Sequence, residues 1–149
     1  MALNKKQTEE AGIAGLKQYL LDSPYIDSEL PTNDKTPSFD GSLTLYSKPG
    51  LNKKDMKGIA PAQVKSITSK RILKHRNYSV KVADLKNYYN QRGVLYFVVY
   101  VNPNDVRQTK IYYKDMLLFD IKEALKGKEE QTTITLQFEK LTKMFQIFV

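Results

Sequence analysis

The chain has 149 residues, 41% of them apolar, and a formal charge of +8. That length makes one domain, long enough to bury roughly two-thirds of its unfolded surface. The absence of cysteine excludes disulfides, thiolate zinc sites and cysteine nucleophiles and fits a reducing cytoplasm, and no apolar run approaches the ~20 residues of a membrane span or forms a signal peptide.

Apolar spacing predicts a first helix from residue 7 or 8 to about 21, with Ile13, Leu16 and Leu20 as its buried stripe. Glu9, four residues before Ile13, is expected on the same inward face, and Glu10 at its flank. Gly12 and Gly15 lower helix propensity and read as points of close packing against a sheet. Asp22-Ser23-Pro24 stops the helix, and residues 25–30 make a short first strand. A polar loop over 31–37 leads to a strand over 38–47, a basic connection over 48–57 and a third strand over 59–68. Residues 70–77 read as a basic loop and 78–82 as a short strand. Residues 84–91 form a helix stopped by Gly93. Val94-Leu95-Tyr96-Phe97-Val98-Val99-Tyr100-Val101 is apolar at every position, as in a central strand covered on both faces. A turn over 102–107, a strand over 110–113, a helix over 117–126 and a last strand over 132–138 follow. The apolar end Met144-Phe145-Gln146-Ile147-Phe148-Val149 reads as the edge of a longer protein, the N-terminal part of which this chain would be, or as a surface that pairs with a second subunit. The order describes an α/β domain around a mixed sheet.

Charge is unevenly placed. Residues 1–40 carry 4 Lys and Arg against 7 Asp and Glu, whereas residues 41–92 carry 12 against only Asp55 and Asp84, a balance of +10. Such a local excess suits a polyanion, DNA or RNA, although a solvated lysine-rich face has the same composition. Within that segment Gln63 and Lys65 fall on one face of the third strand, and Val64 points into the core. Asp40 stands on the strand before. A carboxylate on one strand followed by a polar-x-Lys pair on the next is what metal-assisted phosphodiester cleavage asks for. Lys70, Arg71, Lys74, His75 and Arg76 follow the strand and are the phosphate-contact candidates. Tyr112 and Tyr113 are candidates for stacking on bases, while Tyr88, Tyr89, Tyr96 and Tyr100 suit the core or its edge. Phosphate-binding glycine loops and a Ser-His-Asp motif are absent from the sequence.

The ordered set Ser38-Phe39-Asp40-Gly41, then Gln63-Val64-Lys65, resembles the restriction-endonuclease-like (PD-(D/E)XK) superfamily in its Mrr-like branch, where Gln replaces the usual Glu. Glu9-Glu10-Ala11-Gly12-Ile13-Ala14, Asp84-Leu85-Lys86-Asn87-Tyr88 and the 94–100 strand are similar to an uncharacterised bacterial domain family of that fold. The resemblance spans about residues 8–125. It implies an αβββαβ core, a central mixed sheet flanked by helices, and a Mg²⁺- or Mn²⁺-dependent endonuclease cutting DNA in preference to RNA. It also implies fused C-terminal domains and a part in defence against phage or mobile DNA. Asp40, Gln63 and the Val64 carbonyl would hold the metal, with Glu9 or Glu10 reaching it from the first helix, and Lys65 would orient the water or stabilise the phosphorane. Pro37 stands three residues before the Asp rather than directly ahead of it. The amide of Gln63 neutralises no metal charge, so a catalytically silent nucleic-acid-binding module of the same fold is the rival. In isolation Asp40-Gly41 is a turn pair, Gln-x-Lys a solvent face, and Glu9 a first-turn helix charge.

Overall fold

A computed structural model describes residues 3–30, 41–69 and 75–141. Helix α1, Lys5–Leu21, is opened by Asn4. The Asn4 side chain accepts from the Gln7 N–H at 2.8 Å, and the Gln7 side chain accepts from the Asn4 N–H at 3.0 Å. This capping box starts the helix earlier than apolar spacing alone predicts. Strands β1 (Ile26–Glu29), β2 (Gly41–Tyr46) and β3 (Met56–Thr68) form an antiparallel meander. Strand β4 (His75–Lys81) and helix α2 (Val82–Asn90) then carry the chain to β5 (Val94–Asn102), which lies parallel to β3. Strand β6 (Asp105–Met116), helix α3 (Leu118–Leu125) and strand β7 (Thr133–Lys140) complete the order.

The seven strands among the described residues form one mixed sheet, ordered β1-β2-β3-β5-β6-β7-β4. Strand β5 is its centre, buried at every position from Val94 to Val101. Its alternate residues feed two cores. Leu95, Phe97, Val99 and Val101 pack with α1, whereas Val94, Tyr96, Val98 and Tyr100 pack with residues of α2, α3, β4 and β7. By pairing, β4 stands at the far edge of the sheet, yet Tyr78 of β4 and Phe138 of β7 lie 6.1 and 5.4 Å, ring to ring, from Tyr96. The sheet therefore curls, and the β4–β7 ribbon folds back over the second face of β5. Strand β7 meets β6 only at Tyr112–Lys140 and Tyr113–Glu139, which leaves it free to turn away.

Two expected loops are shorter than composition suggests. His75, Arg76 and Asn77 belong to β4, because each has a cross-strand partner on β7. The expected turn over 102–107 contracts to Pro103 and Asn104, since β6 begins at Asp105 and pairs along the whole of β5. Asn102 tightens that turn by accepting from the Asn104 N–H at 2.9 Å.

Candidate functional site

The period of two places β3 side chains on both faces of the sheet. Ala62 and Val64 belong to the core beneath α1. Gln63 and Ile67 face the second core, and Lys65 shares their side of the strand. Gln63 is 7% exposed, a polar side chain among aliphatic and tyrosine side chains. Its Oε1 accepts a hydrogen bond from the Tyr88 hydroxyl at 3.1 Å, so helix α2, which follows β4, fixes an amide on β3. Lys65 is half-buried and paired in register with Val98. Gly41, which follows Asp40 in sequence, is paired with Ala62, which precedes Gln63. Asp40 itself lies outside the described residues, as do Lys70, Arg71 and Lys74.

The helix glutamates sit elsewhere than expected. Glu9 and Glu10 are exposed, and α1 packs on the Val64 side of the sheet, opposite the side that carries Gln63 and Lys65. The cause is the phase of the helix. Thr8, Gly12, Leu16 and Leu20 recur every four residues as the buried line, with Ile13 at its border, and Glu9 falls beyond that border. Thr8 takes the inward place in the first turns, its hydroxyl donating to the Asn4 carbonyl at 3.0 Å.

The basic and aromatic candidates divide in the same way. Arg76 stacks its guanidinium 3.8 Å from the centre of the Tyr100 ring and donates to Ser69 Oγ at 3.3 Å. It ties β4 to β3 and β5. His75 opens β4 opposite Glu139. Tyr112 is fully buried, edge-on to Tyr100 at 5.3 Å, and is not available for stacking on a base; Tyr113 is partly buried against the α1 core. Burial raises the hydroxyls of Tyr78, Tyr96 and Tyr100 above the ordinary tyrosine range, with Arg76 opposing the rise at Tyr100, so this cluster is neutral at physiological pH. Tyr88 is the partner that sequence reasoning left in the core. The available signal was a tyrosine on the buried stripe of α2, since a buried hydroxyl requires a partner.

A hard cation takes oxygen ligands and favours carboxylates. Among the described residues, the oxygens of the expected ligand set nearest this position are the Gln63 amide, already accepting from Tyr88, and the Val64 backbone carbonyl. Both are neutral, and no three carboxylates or imidazoles gather anywhere among the described residues. These groups alone do not fit magnesium, and its charge partner would have to be Asp40. No helix among the described residues is long and apolar enough to cross a membrane. Comparison of the chain with family models, with curated proteins and with solved structures finds no match.

Proposed function

We propose that this chain is a metal-dependent nuclease domain of restriction-endonuclease-like fold that hydrolyses phosphodiester bonds in DNA. The observation that carries the reading is the shared face of Gln63 and Lys65 on β3, within a segment of balance +10. The β1–β2–β3 meander and the return through α2 to a parallel β5 support it, with β4 inserted ahead of α2 as a departure from the expected αβββαβ order; the paired residues Gly41 and Ala62 are the sequence neighbours of Asp40 and Gln63. In this reading Asp40 provides the negative charge for the cation, Gln63 a neutral oxygen, and Lys65 a positive charge for the scissile phosphate. A bound cation would supply an acidified water. Asp40→Ala is expected to remove cleavage while leaving the unfolding curve and salt-dependent DNA binding intact. Metal-dependent cutting by that variant at the wild-type rate would overturn the assignment.

One observation favours a second reading, a nucleic-acid-binding module without catalysis. Tyr88 holds the Gln63 amide inside a closed aromatic layer, which is a sufficient structural reason for a polar residue there. DNA binding whose affinity falls steeply with salt, without nicking in Mg²⁺ or Mn²⁺, would favour this module.

A further inference from the structure

A groove of about 440 Å³ opens where the start of β3, the α2–β5 turn and the end of β6 meet. It is distinct from the Gln63–Lys65 position, since neither residue lines it. Its volume lies within the roughly 300–1,000 Å³ of small-molecule sites. The wall is mostly apolar. Ile59 and Leu117 line it while remaining 64% and 58% exposed, and Phe119, two residues beyond Leu117, is 71% exposed. Apolar side chains held open around a concavity, rather than folded into a core, mark a contact surface.

The polar groups of the groove have one sign in excess. Lys57 and Arg92 line it, against a single acid, Asp115. The ion pair among the described residues is Arg107–Asp105, so neither cation is neutralised there by a described partner. Asp115 lines the same groove, and the two cations still outnumber it. The backbone around Arg92 is also unusual. It occupies the left-handed region at φ 69°, just after α2, where glycine is the favoured residue. The chain keeps an arginine there, and Gly93 follows at φ 109°, close against the Met116 carbonyl.

We propose that this groove binds a monomeric amphipathic anion: an apolar body of acyl-chain size against Ile59 and Leu117, ended by a carboxylate or phosphate between Lys57 and Arg92. Charge complementarity selects the head group, and the exposed apolar wall selects the tail. The site is independent of the nuclease reading, because its readout is ligand binding and its residues are others.

The test is displacement of anilinonaphthalene sulfonate fluorescence by decanoate, decyl phosphate, decanol and decyltrimethylammonium, each below its aggregation threshold. Decanoate and decyl phosphate are expected to displace the probe at one site per chain, at least tenfold more tightly than the neutral and cationic analogues. Arg92→Gly combined with Lys57→Ala is expected to weaken decanoate at least tenfold. Glycine suits the left-handed backbone, so this variant should keep the wild-type unfolding curve. Leu117→Ser, which shortens the apolar wall without adding charge, should weaken all four amphiphiles. Equal displacement by all four, wild-type decanoate affinity in the double variant, or binding to anionic vesicles without binding of monomeric decanoate would each overturn the proposal.

Discussion

Gln63 and Tyr88 form a buried polar contact in the second core. A buried amide without a donor or acceptor costs free energy, and α2 supplies the hydroxyl that answers it. Tyr88→Phe is expected to lower stability by about 1 kcal/mol in urea unfolding, the ordinary net worth of one hydrogen bond. Asp115 makes a different contribution. Burial and Asp120 raise its carboxyl above the ordinary 3.8, so the folded chain holds that proton more tightly than the unfolded chain. Stability linked to this group is complete at about pH 3 and is lost as pH rises through the raised value. Asp115→Asn is therefore expected to raise Tm at pH 7 and to leave it nearly unchanged at pH 3. At this scale the pairing of Gln63 with Lys65 was legible, because it follows from strand alternation. The partner of Gln63 was not, since Tyr88 is 25 residues away and reaches it only through the crossover.

Helix α1 is set on the sheet by its small residues. A Cβ on Gly12 would fall inside contact distance of the Ser66 side chain of β3. Gly12→Ala gains about 1 kcal/mol in helix propensity but overpacks the contact, and a net loss of about 1–2 kcal/mol is expected. Combining it with Ser66→Gly should recover part of the loss, with a coupling above about 0.5 kcal/mol in a double-mutant cycle. Both glycines could be read as packing sites from composition. The exposure of Glu9 could not, because a stripe defined by Ile13, Leu16 and Leu20 leaves the helix phase open by about half a step. Thr8 and Gly12 decide it, and neither is apolar enough to enter such a stripe. The first three residues of strand β4 were hidden for a related reason, whereas its second half was expected as a strand. Its residues His75, Arg76 and Asn77 are polar, and only their pairing with β7 makes them a strand.

Across the whole molecule, two cores share one central strand. The apolar run from Val94 to Val101 made that legible in advance, and each of those residues is buried. The return of the β4–β7 ribbon over Tyr96 was not legible, because it depends on curl accumulated across the sheet rather than on any local pattern. The ribbon gives the face that carries Gln63 and Lys65 an aromatic lining, with Arg76 stacked on Tyr100. The functional account rests on Lys65, which shares that face and has a segment rich in positive charge around it. Its most direct test is conversion of supercoiled plasmid to nicked circles in Mg²⁺ or Mn²⁺, wild type beside Lys65→Ala. The account expects nicking by the wild type, none by the variant, and coincident unfolding curves for the two proteins. Undiminished nicking by Lys65→Ala, or none by either protein, would contradict it.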